Sequence, residues 1–143
     1  MKRWMGIDLG DKRIGVALTD PLGVTAQPLR TIMSKGALKD IAAFGKIIGE
    51  YGVTQVVVGL PLNMDGTDSA RTRKVRRAAS LMAKHLDVPV VLADERLTSW
   101  QAESDMRDIG ARPSARKKHV DAVAAALILR SALDGAVLTQ AES

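Results

Sequence analysis

Three acidic positions stand where carboxylates are costly. Asp8 interrupts the apolar run Met5-Gly6-Ile7-Asp8-Leu9-Gly10, and a charge inside such a run needs something to pair with it. Asp94 and Glu95 close a second run, Val90-Val91-Leu92-Ala93, with Arg96 directly after them. Asp121 borders the apolar residues Val120, Val123 and Ala124. Carboxylate oxygens are the ligands that hard divalent cations such as Mg²⁺ and Mn²⁺ prefer, so acids gathered at one place could build a metal centre. Each acid also has a plainer reading. Asp8 would cap the following turn, Asp94 or Glu95 would pair with Arg96 in solvent, and Asp121 would sit in a helix's first turn, where the dipole favours it. If a strand continues through Asp94 and Glu95, alternation sends them to opposite faces, and only one reaches a shared site. Glu103, Asp105 and Asp108 read as a solvated helix face with Arg107, and Asp65 as a turn residue.

The elements that must position these acids follow from periodicity. Residues 4–9, 14–19 and 24–32 read as three short strands separated by Gly10-Asp11-Lys12 and Asp20-Pro21-Leu22-Gly23, an antiparallel meander. Pro28 puts the third at an edge or a bulge. Leu38, Ile41, Phe44, Ile47, Ile48 and Tyr51 then fall at helical spacing, and Gly52 stops that helix. Residues 55–59 and 88–93 are apolar and β-branched without alternation, as in strands buried on both faces. Between them residues 68–86 read as a helix with Val75, Ala79, Leu81, Met82 and Leu86 inward. Residues 98–109 read as another helix, 111–118 as a loop, and 119–133 as a last helix. The order β-β-β-α-β-α-β-α-α predicts an α/β fold with one mixed sheet: three antiparallel strands, then parallel crossovers. In such sheets the ligand site lies beyond the C-terminal ends of the parallel strands, where Asp8, Asp94 and Glu95 belong. Residues 1–138 read as a single domain and 139–143 as a frayed tail.

The composition narrows the chemistry. The chain has 143 residues with 46% hydrophobic and only 3% aromatic, so its core must be aliphatic. It has no cysteine, which excludes disulfides and cysteine catalysis and suits a reducing cytoplasm. His85 and His119 are its only histidines, too few for a common zinc site. No stretch reaches the roughly 18 apolar residues of a membrane span, and the chain enters a strand pattern at once, so no signal peptide is expected. The net charge of +5 favours polyanions. Arg71, Arg73, Lys74, Arg76 and Arg77 share one predicted helix, and with Arg112, Arg116, Lys117 and Lys118 they make nine of the 21 basic residues. These are candidate nucleic-acid contacts, although solvated faces would look the same. Few aromatics are available for stacking, and Trp100 reads equally as a stacking or a core residue, so recognition by backbone and shape is expected, with little base reading.

Four blocks in this order resemble the YqgF family, also called RuvX, of the RNase H-like superfamily. They are Gly6-Ile7-Asp8-Leu9-Gly10 with Arg13-Ile14-Gly15-Val16-Ala17; Val58-Gly59-Leu60-Pro61-Leu62-Asn63-Met64-Asp65-Gly66; Asp94-Glu95-Arg96-Leu97-Thr98; and Asp121-Ala122-Val123-Ala124-Ala125. They span residues 6–125. The resemblance implies a five-stranded RNase H-like mixed sheet flanked by helices, a carboxylate site for Mg²⁺ or Mn²⁺, and phosphodiester hydrolysis. It further implies a cytoplasmic role in maturing the 5′ end of pre-16S rRNA. Asp8, Glu95 and Asp121 match the family's proposed catalytic acids. On that resemblance Asp8 would bridge two ions, Glu95 and Asp121 would flank it, Asp94 would be the alternative to Glu95, and Lys117 or Lys118 would hold the scissile phosphate. Two such ions would activate water, relieve charge and assist the leaving oxygen.

The resemblance has one departure. Junction resolvases of the superfamily carry their second acid at the end of the fourth strand, where this chain has Gly59-Leu60-Pro61. Cleavage of Holliday junctions or branched DNA is therefore an alternative, and a non-catalytic RNA-binding assembly factor is another. Gly6-Ile7-Asp8-Leu9-Gly10 also resembles the first phosphate loop of sugar kinases and chaperone ATPases, but those need a duplicated domain that 143 residues cannot hold. The expected partners are nucleic acid and, as an option, a second copy of the chain; no membrane partner is expected.

Overall fold

The fold is a computed structural model that describes residues 2–96 and 120–142. In chain order the elements are β1 (Trp4–Leu9), β2 (Arg13–Thr19), β3 (Ala26–Met33), α1 (Ala37–Tyr51), β4 (Gln55–Leu60), α2 (Ala70–His85), β5 (Val90–Asp94), α3 (Val120–Leu133) and β6 (Leu138–Gln140). The strands form one sheet in the order β3-β2-β1-β4-β5-β6. β1, β2 and β3 pair antiparallel, and β1, β4 and β5 pair parallel. The predicted meander and crossovers are therefore present. Pro28 lies on the edge strand, beside a register shift between Val16 and Ala17 of β2, a place where its missing N–H does least harm. The predicted helix over 98–109 and the loop over 111–118, with Trp100, lie outside the described residues.

The sheet carries one more strand than the five expected. The sequence reading has residues 139–143 fray, but Leu138–Gln140 pairs antiparallel with β5. The Ala141 amide then donates to the Val90 carbonyl (2.9 Å), and Ala141 is buried. A three-residue strand with two exposed members is too short to carry a periodicity signal.

The lack of alternation in β4 and β5 has the expected cause. Val56, Val58, Val90 and Leu92 join the core under α1 and α2, with Met5, Ile7, Ile14, Phe44, Val75 and Met82. Val57, Val91 and Ala93 face the other way, into a core made with Ala125, Ile128 and Leu129 of α3. Helix α1 buries Ile41, Phe44 and Ile47, and ends at Gly52 with φ 66°, whose N–H donates to the Ile48 carbonyl. Helix α2 begins with a capping box: Ser69 and Thr72 each accept the other's backbone N–H. It buries Thr72, Val75, Ala79 and Met82. The parallel run β1-β4-β5 brings Asp8, Leu60 and Asp94-Glu95 to one edge of the sheet.

Candidate active site

Strand alternation decides which acids meet. Gly6 and Asp8 of β1 point toward α3, and Met5 and Ile7 toward α1 and α2. On β5, Val91 and Ala93 share the α3 side, and Val90 and Leu92 the other. The ladder continues past Asp94, because the Glu95 amide donates to the Leu60 carbonyl (3.2 Å). Glu95 thus follows Val91 and Ala93 onto the α3 side with Asp8, and Asp94 turns away.

Missing side chains make room for this arrangement. A β-carbon on Gly59 of β4 would collide with Oε2 of Glu95 and with Ile128 of α3. One on Gly15, which pairs with Asp8 across β1 and β2, would run into the Asp121 backbone. One on Gly6 would press on the Ala125 carbonyl. These glycines let α3 lie down on the sheet, and its first turn brings Asp121 over the Asp8–Gly15 pair.

Burial dominates the electrostatics. It raises the Asp8 carboxyl above its ordinary range; Arg71 opposes the shift and Asp121 adds to it. Burial likewise pushes Glu95 up to about 7, helped by the charge of Asp8 and opposed by Arg71. Two half-buried carboxyls that resist ionisation at one edge are what a functional site looks like electrostatically. Asp121 is held from the side by Arg13 at 3.4 Å. The β1–β2 turn itself is closed by backbone, the Gly10 amide donating to the Arg13 carbonyl (3.0 Å).

Asp94 has a different role. Its carboxylate accepts the Arg96 backbone N–H (2.9 Å) and side-chain Nε (2.8 Å), with the second guanidinium nitrogen at 2.6 Å. Arg96 holds it well below the usual carboxylate range. Arg96 also donates to the Met64 carbonyl (3.1 Å), tying the end of β5 to the loop that precedes α2. Asp65 is a turn residue as expected, accepting from the Thr67 amide (3.0 Å).

The basic residues of α2 divide. Lys74 pairs with Asp11 (2.7 Å), and Arg76 makes a two-point contact with Asp68. Arg73 and Arg77 are exposed. Arg71 donates to the Leu9 carbonyl (3.3 Å), beside the acids. Arg116, Lys117 and Lys118 lie outside the described residues. Sequence reasoning gave no role to Arg13, Gly15 or Gly59, and read Arg71 as a phosphate contact alone. The signal available was the two glycines' position beside the acidic blocks.

An all-carboxylate donor set suits Mg²⁺ or Mn²⁺, whose charge would relieve the crowding that raises Asp8 and Glu95. Among the described residues no three acidic, histidine or cysteine side chains stand close enough together to hold a metal ion as they are. Among the same residues no helix is long and apolar enough to cross a membrane.

Comparison with known proteins places the chain in a family. The family described as "RuvX: Holliday junction resolvase" matches residues 2–135. A protein of Anaeromyxobacter dehalogenans (strain 2CP-C), named "Putative pre-16S rRNA nuclease", is 45% identical over 132 residues, covering 92% of this chain and 96% of its own. One of the same name from Syntrophus aciditrophicus (strain SB) is 42% identical, covering 92% and 88%. Among solved structures, Thermus thermophilus RuvC in complex with a Holliday junction superposes with a TM-score of 0.63 at 17% identity, covering 96% of this chain and 99% of that one. The Fowlpox virus resolvase bound to its junction gives 0.59 at 11%, covering 92% and 97%. At such identities the structures establish the shared RNase H-like resolvase fold, and the match along residues 2–135 establishes that this chain belongs to the RuvX family.

Proposed function

We propose that the protein is a metal-dependent nuclease that hydrolyses phosphodiester bonds at the 5′ end of the 16S rRNA precursor. The observation that carries this reading is the placement of Asp8 and Glu95 on one face of the sheet, with Asp121 above them and both buried carboxyls raised. Asp8, Glu95 and Asp121 would hold Mg²⁺ or Mn²⁺, which supplies activated water and charge relief at the phosphate. The protein's own groups do the rest. Arg13 orients Asp121, and Arg71 stands against Asp8 and Glu95 as a fixed positive charge for an incoming phosphate. The exposed Arg73 and Arg77 continue that charge along α2 for the backbone. The names of the relatives favour a ribosomal RNA precursor as substrate, and this reading puts the protein in the cytoplasm with it.

Junction cleavage is the weaker reading, because β4 ends in Gly59-Leu60 and offers no acid. Labelled 16S precursor, linear DNA and a four-way DNA junction incubated with Mn²⁺, and again with chelator, test the choice. The precursor is expected to be trimmed at its 5′ end only with the metal. Cleavage of the junction alone would overturn the substrate, and cleavage unaffected by chelator would overturn the metal.

A further inference from the structure

A pocket of about 230 Å³ opens at the same edge of the sheet, on the face opposite the Asp8 carboxylate. Leu9 and Gly10, the two residues after Asp8, form part of its wall, with Ile14 of β2 and Val75 of α2. Its rim is polar: Asp40 of α1 and Arg71 and Lys74 of α2 line it. Arg71 therefore serves both places. It lines the pocket, donates to the Leu9 carbonyl across the edge (3.3 Å), and lies near enough to Asp8 and Glu95 to act on both charges.

We propose that this pocket receives one unstacked base of the substrate strand, from a nucleotide next to the phosphate held at the acids. The inference rests on the nuclease reading and adds a substrate class to it: a strand locally unpaired at the cleavage site. Size supports a base. The pocket is smaller than the roughly 300–1,000 Å³ typical of larger ligands and suits a single planar ring system. Chemistry supports it too. A flipped base needs apolar walls against its faces and hydrogen-bonding groups at its edge. Leu9, Ile14 and Val75 supply the first, and the rim supplies donors and acceptors together. Asp40 already accepts from the Ser34 hydroxyl (2.6 Å) and the Lys35 amide (2.8 Å), which fixes its carboxylate at the rim. A free phosphate would waste the apolar walls and meet two carboxylates, Asp11 and Asp40. A phosphate attached to a buried base would instead lie toward Arg71 and the acids.

The test measures binding with chelator present, so that no cleavage intervenes. The probes are a single-stranded RNA spanning the 5′ end of the 16S precursor, and the same RNA with one abasic nucleotide moved stepwise along it. The parent protein is expected to lose affinity by roughly tenfold at one abasic position. Ala78→Leu and Ala37→Leu fill the pocket from opposite walls. Each is expected to bind the intact RNA as weakly as the parent binds that abasic one, with no further loss on the abasic RNA. Thermal midpoints identify any variant that fails to fold. A 2-aminopurine at the sensitive position, read with the parent alone, should change its emission on binding. Filled variants that bind like the parent, an abasic penalty that persists in them, a silent 2-aminopurine, or no RNA binding by the parent would each overturn the pocket's assignment. Cleavage of the same RNAs in Mn²⁺ is scored separately. A base signature without cleavage would sink the nuclease reading and spare the pocket, whereas cleavage without the signature would do the reverse.

Discussion

The Glu95 carboxylate occupies the space that a β-carbon on Gly59 would fill. The fourth strand thus contributes no acid, and its bare backbone lets the fifth strand's acid reach over it toward Asp8.

Gly59→Ala should therefore disturb the site without removing any acid. The added methyl group meets the ends of two side chains, Glu95 and Ile128, so both are displaced while the sheet stays intact. Cleavage or Mn²⁺ affinity is expected to fall about 10–100-fold, the range seen when a group that orients a ligand is lost. The midpoint should drop only modestly. Activity equal to the parent's would show that the position of Glu95 does not matter.

The adjacent acids should separate cleanly. Glu95→Gln is expected to lose turnover by orders of magnitude with little change in fold. Asp94→Asn breaks the two-point contact with Arg96 and is expected to cost about 1–2 kcal/mol of stability. Its turnover at saturating Mn²⁺ should stay near the parent's. A dead Asp94→Asn with an unchanged midpoint, beside an active Glu95→Gln, would reverse the two roles.

The adjacency of these acids also shows what the sequence could convey. Alternation alone set Asp94 and Glu95 on opposite faces, and the family resemblance chose Glu95 for the site. Arg96, which the sequence sets directly after both acids, is the partner of Asp94. β1, α1 and the existence of the parallel strands β4 and β5 were legible because long apolar runs and helical spacing report burial directly. β6 was not, since three residues carry no period. Arg13 on Asp121 was hidden for another reason: the pair joins residues far apart in sequence, and only the packing of α3 on Gly15 brings them together.

Glu95 gives the proposed metal site a pH signature. Its carboxyl lies at about 7 in the fold against an ordinary value of 4.5, so between these values the folded state holds more protons than the unfolded one. Stability without metal should then fall as pH rises through that window, and Glu95→Gln should flatten the fall. Ion binding needs the carboxylate, so Mn²⁺ affinity should rise over the same range and level off above it. Titration calorimetry across the window checks this. An affinity independent of pH would remove Glu95 from the ligand set.

Salt dependence tests the α2 surface. Arg73→Ala with Arg77→Ala should reduce the slope of log affinity against log salt by roughly 1.4 for single strands, if each neutralises one phosphate. Arg76→Ala should change it less, because Arg76 is engaged with Asp68. A double variant whose slope matches the parent's would show that this helix does not track the backbone.

The most direct measurement is cleavage of 5′-labelled 16S precursor by Asp8→Asn in Mn²⁺, beside RNA binding and the thermal midpoint of the same variant. Asp8 is half-buried at the centre of the three acids, and the substitution removes its charge while keeping its volume. Cleavage should disappear while binding and midpoint stay near the parent's. An Asp8→Asn protein that trims the precursor at the parent's rate would contradict a carboxylate metal centre at this edge of the sheet.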